Sequence, residues 1–308
     1  MGRAKARKAL RAAKIDLDPA QRNVPTPVKI NAVPIGIPTG QLATMPSSDL
    51  LPLLDVVWQA ADAAVVGSAH LRGNPPKPCQ DAALADAEMR PLVLLADGAG
   101  SAVASHLGAA AVIAGVRRLC RTLESDIAVA LDKETDPTGM ARAIARRIVA
   151  HARGTLDDLA NAHLRNVEDF RCTLLVWLAG NQRALWLKVG DGVLVAEVDG
   201  EIRCVGPAGK GEFANQTCFI GPRLDDGEWA WGELDAKRLS GLAAMSDGAA
   251  ERLVAHDAGH VSPAIGKLLR GAAETRVGRR EIFSLLAEAE FWKGTSGDDK
   301  SLALVARA

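Results

Sequence analysis

The sequence predicts an α+β domain in which antiparallel sheets are layered with helices. Alanine-rich segments with apolar residues at helical spacing precede residue 165, and short apolar runs joined by glycine-containing turns dominate residues 170–235. A doubly wound parallel fold would alternate strand and helix throughout, and residues 170–235 do not. We therefore expect hairpin-linked strands packed against two groups of helices.

The predicted elements follow from these local patterns in chain order. Strands are predicted at residues 63–68, 82–85, 92–96, 173–178, 184–189, 193–198, 201–205 and 301–305, and around Trp229 and Trp231. Helices are predicted at residues 101–123, 140–163, 263–269 and 280–291. Glycine turns at residues 180–181, 190–192 and 199–200 predict hairpins between the runs that they separate.

The first 50 residues are predicted to be a basic, proline-rich tail and linker, separate from a folded domain at residues 56–308. Six lysines and arginines alternate with alanines up to residue 14, and six prolines follow before residue 50. This composition is typical of extended or disordered chain. The basic part is either a solvated tail or a short helix that touches an acidic partner or nucleic acid.

The bulk composition argues against several classes of function. The chain has 37 lysines plus arginines and 37 aspartates plus glutamates, so no overall charge points to nucleic acid or to a membrane. No apolar run is long enough to span a bilayer, and the basic N-terminus lacks the apolar core of a secretory signal. Five scattered cysteines without a C-x-x-C pair indicate reduced thiols, and we predict a cytoplasmic protein.

Four aspartates are the candidate metal ligands, and three of them adjoin short apolar runs: Asp97, Asp247 and Asp298. Asp81 is the fourth. Each alone has a plain alternative as a turn residue or helix cap. Together, carboxylates at strand ends suit hard cations such as Mg²⁺ or Mn²⁺, and several carboxylates that meet without a cation would repel one another.

Five short motifs resemble, in order, those of the metal-dependent protein phosphatases, the type-2C serine/threonine phosphatases. They are C-Q-D at 79–81, D-G-A-G at 97–100, C-T at 172–173 followed by V-G-D-G at 189–192, S-D-G at 246–248, and D-D-K-S at 298–301. The segment G-E-F-A-N-Q-T at 211–217 is similar to one in a bacterial branch of the family. The resemblance spans about residues 60–306.

This resemblance implies a four-layer αββα sandwich, with two antiparallel β-sheets flanked by helices and the metals in a cleft at one edge. It also implies that Asp97 bridges two Mg²⁺ or Mn²⁺ ions and that the carbonyl of Gly98 binds one of them. Asp247 and Asp298 would hold the other ion. By the same resemblance, Asp81 acts mainly through metal-bound water, and Asp191 helps to hold a third, weaker ion.

The implied reaction is hydrolysis of phosphoserine and phosphothreonine in proteins by a metal-bridged hydroxide at a two-metal centre. Asp97, Asp247 and Asp298 are accordingly the predicted catalytic residues, and the substrates would be phosphoproteins made by a serine/threonine kinase. Two alternatives remain open. One is a pseudophosphatase that binds a phosphoprotein or a regulatory partner, and the other is a phosphohydrolase for a small metabolite.

The chain departs from the family pattern at several positions. Ala99 stands where some members carry a histidine, and Asp299 replaces the usual asparagine, so that two adjacent carboxylates compete as the metal ligand; we favour Asp298. Arg72 is the nearest upstream candidate for phosphate binding, with simple exposure as its alternative. Asp191 has an equally plain interpretation as part of a hairpin turn.

Other candidate sites are less persuasive. His70 and His106 are single histidines, which are usually structural. His256 and His260 have the i, i+4 spacing of zinc ligands, but no glutamate follows His256. The G-P-A-G-K-G segment at 206–211 lacks the spacing of a phosphate-binding loop, and we predict a flap near the cleft.

Overall fold

The computed structural model describes residues 57–136, 139–207, 217–255 and 260–308. The predicted tail at residues 1–50 lies outside these ranges, as do His256 and most of the segments at 206–211 and 211–217. The boundaries predicted for the tail and the folded domain therefore stay predictions.

Ten strands form two five-stranded sheets within the described residues, and all strand pairs are antiparallel. The first sheet has the order β1-β10-β9-β6-β7, and the second has the order β2-β3-β4-β5-β8. The strands are β1 (Trp58–Val65), β2 (Ala82–Asp86), β3 (Leu92–Ala96), β4 (Leu174–Ala179), β5 (Arg183–Val189), β6 (Val193–Val198), β7 (Glu201–Val205), β8 (Trp229–Asp235), β9 (Leu239–Met245) and β10 (Lys300–Arg307).

Helices cover the outer faces of both sheets. They are α1 (Ser68–Leu71), α2 (Ser105–Thr122), α3 (Glu124–Leu131), α4 (Met140–His163), α5 (Asp247–Leu253), α6 (Pro263–Ala273), α7 (Arg279–Ala287) and α8 (Ala289–Trp292), with short 3₁₀ helices at Val167–Phe170 and Ala236–Arg238. None of the helices in the described ranges is long and apolar enough to cross a membrane.

Three hydrophobic layers hold the sandwich together, because successive residues of a strand point to opposite faces of its sheet. Leu94 packs against α2 and α4, whereas its neighbour Leu95 lies in the layer between the sheets. On the other sheet, Leu304 packs against α6 and α7, and Val305 points inward. The predicted four-layer αββα sandwich is confirmed by this arrangement.

Two of the three predicted hairpins are present, and the third is wrong. The turns at 180–181 and 199–200 join strands that pair with each other, β4 with β5 and β6 with β7. The turn at 190–192 instead carries the chain from β5 in the second sheet to β6 in the first. A Gly-Asp-Gly sequence permits a sharp change of direction, and Gly190 has a φ of +102°, but it does not determine which strands then pair.

The other differences are shifts of boundaries and missed elements. The first predicted strand begins earlier and ends at Val65, and Ser68 already belongs to α1. The predicted helix at 280–291 is two helices, because Glu288 has extended backbone (φ −64°, ψ 136°). Helix α3 and strand β9 were not predicted as separate elements, although the apolar run before Asp247 is the end of β9.

The strand pairing brings the acidic motifs to one edge of the sandwich. Ala82 pairs with Ala96, which places the residues before β2 beside those after β3. In the first sheet, Met245 at the end of β9 pairs with Leu302 near the start of β10. Met245 also pairs with Val193 at the start of β6, so the 190–192 crossover reaches the same edge.

Candidate metal centre

Asp97 follows β3 and is held by the backbone and hydroxyl of Thr173. The Asp97 N–H donates to Thr173 Oγ1 at 2.9 Å, and the Asp97 carbonyl accepts from the Thr173 N–H at 2.8 Å. These two bonds fix the direction in which the Asp97 side chain leaves the strand. Burial, and then the charges of Asp81 and Asp247, raise the pKa of Asp97 well above its ordinary value.

Gly98 occupies a position where no larger residue fits. Its N–H donates to the carbonyl of Gln80 at 3.1 Å. A Cβ atom on Gly98 would lie 2.8 Å from that same carbonyl oxygen and 2.8 Å from Cβ of Ser105. The glycine therefore lets the segments at 80 and 98 approach each other closely.

Asp247 begins α5 two residues after the end of β9, and its charge acts on Asp97. Burial and the charge of Asp191 are the main causes that raise the pKa of Asp247, and the charge of Asp298 adds to them. Five aspartates from distant parts of the sequence thus act on one another: Asp81, Asp97, Asp191, Asp247 and Asp298.

Asp81 is the most deeply buried carboxyl of this cluster. Its Oδ2 accepts from Ser301 Oγ at 2.7 Å, whereas its Oδ1 is buried without a hydrogen-bond partner among the described residues. Burial raises the pKa of Asp81 to about 7, and the charges of Asp299 and Asp247 act in the same direction. A buried carboxylate oxygen without a donor, next to other carboxylates, fits a site that takes a cation.

The adjacent aspartates Asp298 and Asp299 differ sharply in environment. The Asp299 side chain is 2% exposed, and its two oxygens accept from the N–H groups of Gly67 and Gln80, both at 2.5 Å. The Asp298 side chain is 52% exposed, and its charge acts on Asp97 and Asp247. Asp299 is therefore occupied in joining loops, which supports Asp298 as the candidate metal ligand.

Asp191 lies in the crossover between the two sheets, on a different segment of the chain from the other aspartates of the cluster. Its Oδ2 accepts from Thr217 Oγ1 at 2.7 Å. Its charge is the second largest cause of the raised pKa of Asp247, so the two carboxyl groups are close. Asp191 therefore belongs to the acidic cluster, and it does not lie in the hairpin that was predicted at residues 190–192.

Arg72 is not in contact with the acidic cluster in the described part of the chain. Its Nε donates to the carbonyl of Ser68 at 3.1 Å, and its Nη2 donates to Ser68 Oγ at 3.1 Å. The side chain is exposed and bound back to the first residue of α1. A role in phosphate binding stays a prediction.

Two residues near the cluster carry signals that the sequence alone did not resolve. His70 is mostly buried, with Nδ1 3.0 Å from Asp299 Oδ1 and Nε2 3.7 Å from Asp298 Oδ1. Lys300 is fully buried, donates to the carbonyl of Gly248 at 2.8 Å and lies 4.4 Å from the centre of the Trp292 ring. The lysine directly after two aspartates was the only sequence signal for this internal cation. His106 and His260 have no contact with the cluster in the described ranges.

The donor set defines the chemistry that this site supports. It consists of carboxylates and a neighbouring glycine backbone, without a cysteine ligand, and oxygen donors of this kind select hard divalent cations. Burial first, and then the charges of neighbouring aspartates, raise the pKa values of Asp81, Asp97 and Asp247. The residues therefore fit the divalent metal centre that the motif order implied.

The architecture is shared with solved bacterial serine/threonine phosphatases. The catalytic domain of the phosphatase PstP, solved with two manganese ions, has a TM-score of 0.55 at 18% identity over 82% of this chain and 98% of that one. PppA, described as a key regulatory component of T6SS in Pseudomonas aeruginosa, has a TM-score of 0.54 at 17% identity over 82% of this chain and 98% of that one. At these identities the likeness establishes the fold.

The family itself is established by sequence. Residues 66–286 match the family model for protein phosphatase 2C, and the chain belongs to this family, as the order of its motifs predicted. Serine/threonine-protein phosphatase 3 of Escherichia coli K12 is 29% identical over 169 residues, which are 53% of this chain and 62% of that protein. The chain thus matches less than two-thirds of the length of this relative.

Proposed function

We propose that this protein is a serine/threonine protein phosphatase that hydrolyses phosphoserine and phosphothreonine in proteins with two bound Mg²⁺ or Mn²⁺ ions. The observation that carries the proposal is that strand pairing brings Asp81, Asp97 and Asp247 to one edge of the sandwich, where burial and the charges of Asp81 and Asp247 raise the pKa of Asp97. Membership of the protein phosphatase 2C family supports the same activity.

The proposed ligand set is the one that the family resemblance implies. Asp97 would bridge the two ions, the carbonyl of Gly98 would complete one site, and Asp247 and Asp298 would complete the other. Asp81, one of whose oxygens is held by Ser301, would act mainly through metal-bound water, as the family resemblance implies.

A third, weaker ion is proposed beside Asp191, whose carboxylate acts on Asp247 from the crossover between the sheets. The Thr217 hydroxyl holds one Asp191 oxygen at 2.7 Å and leaves the other as the candidate ligand.

When bound, the ions would act as Lewis acids that activate water and neutralise charge on the phosphate. The protein residues hold this centre in place: Thr173 orients Asp97, and Asp299 ties the loops at Gly67 and Gln80 to the start of β10. No histidine follows Asp97-Gly98, so the chain supplies no imidazole at that position to protonate the leaving oxygen.

The test is turnover of p-nitrophenyl phosphate and of a phosphothreonine peptide with Mn²⁺ or Mg²⁺, in the wild-type protein and in Asp97→Ala. We expect Asp97→Ala to lose at least about 100-fold in kcat, because it removes a ligand shared by both ions. Isothermal titration with Mn²⁺ should show weaker binding, and circular dichroism should show a retained fold. Asp158→Ala, on the exposed face of α4, is the matched control and should behave as the wild type.

The outcomes separate the open alternatives. Binding of the phosphopeptide without turnover with any divalent cation would favour a pseudophosphatase. Faster turnover of small phosphate esters than of phosphoproteins, measured as kcat/KM, would favour a metabolite phosphohydrolase.

The proposed substrates are products of a serine/threonine kinase. The five cysteines form no disulfide with one another, which supports the proposed cytoplasmic location.

A further inference from the structure

A groove of about 620 Å³ lies between α7 and the outer edges of both sheets. β1 ends the first sheet and β2 ends the second, so each has one side without a neighbouring strand in the described part of the chain. Small side chains leave this space open. The lining residues are Ala63, Ala64, Asp81, Ala82, Ala83, Arg279, Arg280 and Phe283.

The groove adjoins the candidate metal centre, because Asp81 lines the groove and belongs to the acidic cluster. Ala64 pairs with Ser301, and Ser301 in turn bonds Asp81. A phosphorylated residue at the acidic cluster would therefore place its neighbours along the peptide within reach of the groove. Edge strands also offer free backbone groups, which extended peptides commonly pair with.

The charges on α7 are not equivalent. Arg279 donates to Asp62 Oδ1 at 2.8 Å, so this arginine is used to join α7 to β1. The other oxygen of Asp62 accepts from the N–H of Ala85 in β2 at 3.3 Å. Arg280 is exposed and forms no salt bridge with a described side chain. Its neighbour Glu281 is bound to the N–H of Gly278 at 2.9 Å.

Two features indicate that Arg280 acts on something outside this domain. A positive charge in the first turn opposes the helix dipole, which favours acidic residues there. Phe283 lies one turn further along the same face of α7 and is 50% exposed. A guanidinium without a salt bridge among the described residues and an exposed aromatic ring thus stand together beside the groove.

We propose that this groove binds the segment of a phosphoprotein substrate next to the phosphorylated residue, with an acidic side chain at Arg280 and an apolar one at Phe283. This specificity rests on the proposed phosphatase function. The complementary charge selects the partner, since an anionic flank pairs with Arg280 whereas a basic flank is repelled.

The experiment compares two peptides that contain a non-hydrolysable phosphonate analogue of phosphoserine and differ only in having glutamate or lysine at the flanking positions. Their Kd values are measured by fluorescence polarisation with Mn²⁺ present, so no turnover is needed. The wild-type protein should prefer the acidic peptide. In Arg280→Glu this preference, the ratio of the two Kd values, should fall roughly 5- to 10-fold, because an attraction becomes a repulsion.

Two further variants sharpen the result. Phe283→Ala should raise the Kd of both peptides by the same factor if each peptide has an apolar flanking residue. Arg118→Glu makes the same charge change on an exposed position of α2 and should leave the ratio unchanged. An unchanged ratio in Arg280→Glu, or an equal change in Arg118→Glu, would overturn the proposal. Hydrolysis of p-nitrophenyl phosphate, which has no flanking residues, tests the proposed phosphatase function separately.

Discussion

Asp298 and Asp299 have the same side chain and adjacent positions, yet their environments give them different tasks. Asp299 accepts two backbone N–H groups from segments more than 200 residues away, at Gly67 and Gln80. Asp298 remains half-exposed beside Asp97 and Asp247. A buried N–H group without an acceptor costs free energy, so Asp299 stabilises the edge that carries the candidate metal centre.

Replacing Asp299 by alanine is expected to lower the free energy of unfolding by about 3 kcal/mol, because two buried N–H groups lose their acceptors. Urea denaturation measures this loss. Asp299→Asn should be milder, since the amide oxygen still accepts one bond. A change below about 0.5 kcal/mol in Asp299→Ala, the range of ordinary surface substitutions, would show that water replaces the carboxylate.

Gly98 and Gly100 belong to the same motif but differ in the space around them. A Cβ at Gly98 would lie 2.8 Å from the Gln80 oxygen, whereas a Cβ at Gly100 would meet no atom within 4 Å. Gly98→Ala should therefore cost about 1–3 kcal/mol of unfolding free energy and weaken Mn²⁺ binding by calorimetry. Gly100→Ala is the matched control. Equal behaviour of the two variants would contradict the close approach.

At the scale of elements, β4 and β9 are joined through the core between the two sheets. Trp177 on β4 is fully buried, and its Nε1 donates to the carbonyl of Ala243 on β9 at 3.0 Å. The bond joins strands of different sheets, which share no backbone hydrogen bonds.

Trp177→Phe is expected to lower the free energy of unfolding by about 2–4 kcal/mol, through lost packing and an unpaired carbonyl. Trp231→Phe, on the outermost strand of the second sheet and only partly buried, should cost less. Thermal or urea unfolding of both variants makes the comparison. A larger effect at Trp231 would show that the sheets are not held together at Trp177.

The 190–192 crossover shows what a turn motif does and does not encode. Gly-Asp-Gly sequences satisfy the backbone requirement of a sharp turn, and the same is true at 199–200, where Asp199 and Gly200 both have positive φ. Only the second turn joins paired strands. After the 190–192 turn, Val193 at the start of β6 pairs with Met245 of β9 and not with the preceding strand β5.

At the scale of the whole molecule, the acidic cluster links stability to pH. Burial raises the pKa of Asp81 to about 7 in the folded protein, above the value of about 3.9 for an unfolded chain. The folded state therefore binds more protons than the unfolded state between these values. The contribution of this group to stability is present below about pH 4 and is lost as the pH rises through about 7.

This linkage predicts the behaviour of the protein in EDTA. The free energy of unfolding of the wild type, relative to that of Asp81→Asn, should fall between pH 5 and pH 8, because asparagine does not titrate. Urea denaturation at several pH values gives the difference. A difference independent of pH would mean that Asp81 is not the buried, protonated group described above. Added Mn²⁺ should stabilise the wild type, since a ligand of the folded state raises its stability.

Much of the fold was predictable from local sequence because element type depends on patterns within a few residues. The alternating strands around Trp229 and Trp231, the long helix beginning at Met140, and the hairpins at 180–181 and 199–200 are all encoded in this way. The order of the acidic motifs along the chain likewise indicated the correct family. These features need no knowledge of what packs against them.

Tertiary structure alone gave the residues around the candidate metal centre their different environments. The choice between Asp298 and Asp299, the contact of His70 with both, and the burial of Lys300 depend on pairings such as β1 with β10, whose partners are more than 230 residues apart at Val65 and Lys300. Two equal carboxylates cannot be told apart by their neighbours in sequence. What separates them is which one meets buried N–H groups and which one meets other carboxylates, and only the folded chain brings those groups together.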